Sequence, residues 1–216
     1  MKVTVVIPAY NEENNIGNVL KVLVGIKTLD EIIVVDDGSI DSTADIAESY
    51  EIRVIRLKEN LGKGGAMMKG AQLASHPSIL FLDADLVGLK EEHVAKLIHP
   101  VIGENYAMAV GIFEQGRIAT DLAQFLAPFL SGQRAVRKEL FAQISNLDAT
   151  RFGVEVALTK YAKDNNFPVK EVILEDLTHV MKEEKLGLIR GFVARMKMYW
   201  DIAKFVSTNI KTGTKD

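Results

Sequence analysis

Ser78-Ile79-Leu80-Phe81-Leu82-Asp83-Ala84-Asp85 is an apolar run that stops on two carboxylates. A short, unbroken apolar run suits a strand with helices on both faces, because a strand with one wet face would alternate polar and apolar residues. The same form recurs upstream. Val3 to Ile7 runs into Pro8-Ala9-Tyr10-Asn11-Glu12, Glu31 to Val35 runs into Asp36-Asp37-Gly38-Ser39, and Ile52 to Arg56 makes a further strand. Between them lie helical patterns: Ile16, Val19, Leu20 and Leu23 after Asn14, and Ala66 to Ala74 after Gly62-Lys63-Gly64-Gly65. This alternation predicts an α/β fold with a mainly parallel sheet flanked by helices. In such a sheet the C-terminal strand ends share one edge, so the polar clusters Tyr10 to Glu13, Asp36 to Ser42 and Asp83 to Leu86 are expected to converge.

Further along, Tyr106 to Phe113 reads as a fifth strand, Gly111 to Thr120 as a loop and Asp121 to Phe125 as a short helix. Phe152 to Ala162 reads as a helix, Val169 to Leu174 as a strand, and Leu186 to Ile210 as a long amphipathic helix. That helix sets Ile189, Phe192, Val193, Met196 and Trp200 against Arg190, Lys197 and Lys204. Its apolar stripe could pack on its own domain, on a second copy to make a homodimer, or on anionic lipid, with packing the simplest reading. The domain division expected is 1–185, made of halves 1–104 and 105–185, followed by the helix and tail 186–216.

Composition narrows the function. With 216 residues, 48% of them hydrophobic, the chain can bury a substantial core. A formal charge of −3 argues against general nucleic-acid binding. Zero Cys excludes disulfides, zinc–thiolate centres and thiol nucleophiles. The N-terminal apolar run is too short for a signal peptide, and no apolar segment approaches the roughly 20 residues of a membrane helix. A cytoplasmic protein is expected, at the inner face of the membrane if the last helix meets lipid.

Asp83 and Asp85 place two hard oxygen ligands side by side, which suits Mg2+ or Mn2+ bound jointly with a diphosphate. A bare Asp-x-Asp can also be a strand-to-helix turn with a capping Asp. The second acidic pair, Asp36-Asp37, weighs towards a cation, because carboxylates crowded on one edge repel unless a cation or a proton relieves them.

Three linked motifs carry a family resemblance: Val5-Val6-Ile7-Pro8-Ala9-Tyr10-Asn11-Glu12, Val34-Val35-Asp36-Asp37-Gly38-Ser39 with Asp41-Ser42-Thr43, and Phe81-Leu82-Asp83-Ala84-Asp85. In order and spacing they resemble the signatures of family 2 glycosyltransferases, whose fold is the Rossmann-like GT-A type. The resemblance implies that Pro8, Ala9, Tyr10 and Glu12 cradle the nucleoside of a nucleoside-diphosphate sugar, that Asp37 binds the base with Asp36 nearby, and that Asp85 is the principal metal ligand in the Asp83-Ala84-Asp85 motif. Lys63 is placed to add positive charge beside phosphate, or else is a solvated side chain. Leu130-Ser131-Gly132-Gln133-Arg134-Ala135 resembles the family's acceptor-side segment, which makes Ser131, Gly132, Arg134 and, less directly, Arg117 candidates for a phosphate-bearing acceptor. Phe152-Gly153-Val154-Glu155-Val156 and Thr178-His179 resemble pieces of glucosyl-3-phosphoglycerate synthases, which implies Glu155 near the acceptor and His179 completing the metal shell. A surface Glu155 and a structural His179 are the plain alternatives.

The activity expected is glycosyl transfer to a lipid phosphate, as in polyprenyl-phosphate glycosyltransferases, or to a small phosphorylated acid. The competing classes are a nucleotidyltransferase, which would want a Gly-rich, Arg-containing loop after the first strand, and a catalytically silent nucleotide-sugar binder.

Overall fold

In a computed structural model of the chain, the residues described are 2–113, 129, 131–144 and 154–179. The strands are β1 (Val3–Ala9), β2 (Glu31–Asp36), β3 (Arg53–Arg56), β4 (Ser78–Phe81), β5 (Leu86–Val87), β6 (Met108–Phe113), β7 (Arg134–Arg137), β8 (Val169–Leu174) and β9 (Thr178–His179). The helices are α1 (Ile16–Gly25), α2 (Thr43–Glu48), α3 (Gly62–Leu73), α4 (Glu91–Gly103), α5 (Lys138–Ile144) and α6 (Val154–Asp164).

Seven strands form one sheet in the order β3-β2-β1-β4-β7-β6-β8, and β5 pairs with β9 in a separate two-stranded ladder. β3, β2, β1 and β4 run parallel, as do β6 and β8, while β7 lies antiparallel between β4 and β6. Strand side chains alternate faces, so β1 sends Val3, Val5 and Ile7 into one core with α1 and α4, and Val6 into the other with α3, α5 and α6. Burial on both faces is the reason these strands read as continuous apolar runs.

The expected α/β class, the mainly parallel sheet and most of the expected strands are present. Several boundaries differ. Gly111 to Phe113 belong to β6 and pair with β8, so these three residues are strand and not the start of the expected loop, the rest of which lies outside the described residues. α3 begins at Gly62, which puts Lys63 in the first turn of a helix instead of a loop before it. α2, α5, β7 and the two-residue strands β5 and β9 were not expected, because short elements carry too few residues to show a period. α4, 13 residues long, was also not expected, although Val94, Leu97, Ile98 and Val101 recur at helical spacing. The expected elements at Asp121 to Phe125 and Leu186 to Ile210 lie outside the described residues. Among the described residues no helix is long and apolar enough to cross a membrane.

At the edge of the sheet remote from the acidic clusters, Glu31 ties three segments together. Its carboxylate accepts from Thr4 Oγ1 at 2.6 Å, from the Ser75 amide at 2.8 Å and from Ser75 Oγ at 3.1 Å. Burial alone would raise its pKa, but these donors outweigh it and hold the carboxyl below its ordinary value. Because the folded pKa is depressed, the contribution is complete above the unfolded pKa and is lost as pH falls through the folded one. Glu31→Gln is expected to cost about 1–2 kcal/mol at pH 7 in urea unfolding. The gap to the unsubstituted chain should narrow below about pH 4. Equal stabilities at pH 7 would remove this role.

Candidate active site

The order β2-β1-β4 means that the chain leaves β1 to one side first and returns to the other, so a crevice opens at the C-terminal ends of β1 and β4. Pro8 and Ala9 end β1 and pair with Val35 and Asp36 of β2. Tyr10 follows at the tip, 47% exposed. The Asp37 amide donates to the Ala9 carbonyl, and its carboxylate Oδ1 accepts from the Leu61 amide at 2.8 Å, which pins the loop entering α3. Glu12 is committed locally: its carbonyl accepts from the amides that start α1, and its Oε2 accepts from Asn15 Nδ2 at 2.7 Å. Loop 10–13 is laced to loop 39–43, since Asn11 N–H donates to Ser39 Oγ and Glu12 N–H donates to Thr43 Oγ1. These hydrogen bonds tie the β1 and β2 tips of the crevice together.

Asp83, Ala84 and Asp85 follow Leu82, the residue after β4. Asp83, Asp85 and His179 each offer a ligand atom, and these atoms lie within 4.8 Å of one another. His179 Nδ1 sits 3.9 Å from Asp83 Oδ2 and 3.6 Å from Asp85 Oδ1. Phe113 meets the His179 ring edge-on, with centroids 4.6 Å apart. Two carboxylates and one imidazole suit a hard divalent cation that keeps positions free for phosphate oxygens. Asp36, 3% exposed at the end of β2, has its Oδ1 buried with no hydrogen-bond partner among the described residues. A buried carboxylate oxygen without a donor marks a place where a ligand or cation is called for.

Lys63 links the halves of the site. Its Nζ lies 2.7 Å from Asp83 Oδ1 and 2.9 Å from Glu155 Oε1. Burial would lower the Lys63 pKa, but the two carboxylates hold it well above its usual value. Burial likewise raises Asp83 and Glu155, and Lys63 reverses the shift in both, leaving each below the ordinary carboxylate range. Gly132 forms the floor of this pair: a Cβ there would lie 2.5 Å from Lys63 Nζ and 2.6 Å from each Asp83 oxygen.

Because β7 runs antiparallel, its leading residues 131–134 enter the site from the same sheet edge. This placement corrects the expected role of Arg134. Its side chain is 0% exposed, its Nε donates to the Ser131 carbonyl at 3.1 Å, and its Nη1 donates to the Glu155 carbonyl at 2.9 Å and to Thr159 Oγ1 at 3.3 Å. With its donors spent on protein, Arg134 braces Ser131 and Glu155 and is not positioned for phosphate. Arg117, Phe152 and Gly153 lie outside the described residues. Sequence reasoning passed over Gln133, which is fully buried and takes a hydrogen bond from Ser131 Oγ on its Oε1. Its Nε2 has no hydrogen-bond partner among the described residues. Between Gly132 and Arg134, ahead of a strand too short to announce itself, Gln133 carried no local signal.

An open crevice at the C-terminal strand ends, with two carboxylates and a histidine grouped beside a lysine, is the candidate site of this α/β protein. The sequence profile of glycosyl transferase family 2 matches residues 4–160, and the chain belongs to that family and to the glycosyltransferase class of enzymes. It is 31% identical to an uncharacterised protein of Methanocaldococcus jannaschii over 91% of this chain and 90% of that one. It is 36% identical to the 4,4'-diaponeurosporenoate glycosyltransferase of Staphylococcus aureus over 44% of this chain, and spans only 27% of that enzyme. Among solved structures it resembles glucosyl-3-phosphoglycerate synthase from Mycobacterium tuberculosis in complex with Mn2+, uridine diphosphate and glucosyl-3-phosphoglycerate, with a TM-score of 0.72 and 26% identity over 86% of this chain and 75% of that one. The same synthase in complex with Mn2+, uridine diphosphate and phosphoglyceric acid aligns over 100% of this chain and 80% of its own at a TM-score of 0.78 and 24% identity, which establishes the shared fold.

Proposed function

We propose that the chain transfers a sugar from a nucleoside-diphosphate donor to a phosphate-bearing acceptor, with Asp85, Asp83 and His179 holding Mg2+ or Mn2+. The observation that carries this reading is the convergence of those three ligands beside the Lys63 ammonium on one sheet edge. The solved synthase, which contains Mn2+, uridine diphosphate and a phosphorylated sugar acid, supports it.

When bound, the cation offsets negative charge that grows on the diphosphate as the glycosidic bond breaks. The residues of the chain supply the rest. Tyr10 offers a flat apolar face to the base, and Asp36 and Asp37 offer carboxylate acceptors to base N–H or ribose hydroxyl groups. Lys63 brings a fixed positive charge to the phosphate side. Glu155, clamped by Lys63 and by its own helix, orients the acceptor. A lipid phosphate is ionised at neutral pH and needs no general base, whereas an acceptor that reacts through an alcohol needs one.

The test is incubation with UDP- and GDP-sugars, Mn2+, and either 3-phosphoglycerate or a polyprenyl phosphate, read by mass spectrometry. A glycosylated acceptor together with free nucleoside diphosphate is expected. Pyrophosphate released from a nucleoside triphosphate and a sugar phosphate would instead make the chain a nucleotidyltransferase. Donor binding with no product under any of these conditions would make it a silent binder.

A further inference from the structure

His179 is carried on a strand too short to hold itself in place. β9 contains two residues, paired with the two of β5 as Leu86 with His179 and Val87 with Thr178. So short a ladder is marginal alone, whereas a cation ligand must be held within a fraction of an ångström. We propose that Gly88 and His93 are positioning residues that lock β9 onto β5 and thereby hold His179 against Asp83 and Asp85, an inference that rests on those three residues binding a divalent cation.

Gly88 follows β5 directly and has φ +83°, a conformation side chains rarely adopt. A Cβ at this position would collide with the Asp176 carbonyl oxygen. Asp176 lies just before β9 and itself has φ +57°. The chain after the acidic motif and the chain before His179 are therefore seated backbone to backbone at one point, and the missing side chain is the condition for it.

His93 supplies a second tie. It is 1% exposed in α4, its Nδ1 accepts from the Lys90 amide at 3.2 Å, and its ring bonds the backbone of Glu175. The neutral ring protonated on Nε2 satisfies both, accepting from Lys90 and donating to the Glu175 carbonyl. Burial favours this neutral form. Lys90 with Asp176 and Lys96 with Glu175, each at 3.4 Å, span the same gap on the surface. Exposed pairs of this kind hold little by themselves, so Gly88 and His93 do most of the fixing. Neither residue is a cation ligand, and both act through His179.

The experiment measures Mn2+ binding to the full chain by calorimetry without nucleotide, alongside thermal melts. His179→Ala is expected to weaken Mn2+ about 10-fold or more, and Gly88→Ala to weaken it comparably. The double variant should bind no worse than His179→Ala, because the glycine works through the histidine. His93→Leu should fall with Gly88→Ala, while His93→Gln, which can still accept and donate, should retain most of the affinity. Should Gly88→Ala not fold, the His93 pair decides. Unchanged Mn2+ affinity in Gly88→Ala and His93→Leu, with His179→Ala weakened, overturns the clasp and spares the cation site. Absence of Mn2+ binding in the unsubstituted chain overturns both.

Discussion

Asp85→Ala is expected to lower glycosyl transfer by about 10³-fold or more, close to 4 kcal/mol of transition-state stabilisation. Asp85 lies beside His179 with its side chain as little exposed as that of Asp83, and, unlike Asp83, it shares no ion pair with Lys63. Its charge is thus available to a cation in full. Losing it should leave the fold intact, because Asp83 and Asp85 are like charges close together and removing one relieves repulsion. The variant should melt at or slightly above the temperature of the unsubstituted chain while losing turnover and Mn2+ binding together. A rate within a few-fold of normal would remove the cation from the reaction.

Lys63→Met is expected to lower transfer by about 10²-fold or more, and, unlike the first variant, to destabilise the chain. The ammonium is the shared partner of Asp83 and Glu155, whose side chains are only 15% and 12% exposed. Removing it leaves two poorly solvated carboxylates facing one another, a loss that reaches 3–5 kcal/mol when the broken pair is fully buried. Lys63 is 41% exposed, so solvent screens the pair and about 1–2 kcal/mol is the expected loss in urea unfolding. Gly132→Ala attacks the same contact from the other side, since its Cβ would press on both Lys63 Nζ and the Asp83 carboxylate. The lysine stem can yield, so a smaller fall in transfer is expected there, with Lys63→Met setting its limit. Full activity in Lys63→Met would show the pair to be structural only.

The two variants mark different depths of legibility. Asp85 was readable because its meaning lies in adjacent residues: an apolar run ends and two carboxylates follow. Lys63 was readable only as a charge near a helix start. Its partners come from the end of β4 and the first turn of α6, remote from it in the chain, and no local pattern records that contact. Arg134 shows the same limit with the opposite outcome. As a residue type it suits phosphate, but the antiparallel insertion of β7 buries it among Ser131, Glu155 and Thr159. β7 itself was not anticipated, since Arg-Ala-Val-Arg has neither the length nor the alternation to announce a strand.

The amino-acid sequence alone determined the α/β class, the strands that end in acid and the carboxylates of the site, because hydrophobic periodicity and neighbouring charges act over a few residues. Tertiary structure decided that Lys63 pairs with Asp83, why Arg134 is a brace, and that His179 from a two-residue strand lies beside Asp83 and Asp85. Those outcomes depend on strand order, on the direction of β7 and on glycines where two backbones meet, and each is settled by packing between segments that are distant along the chain.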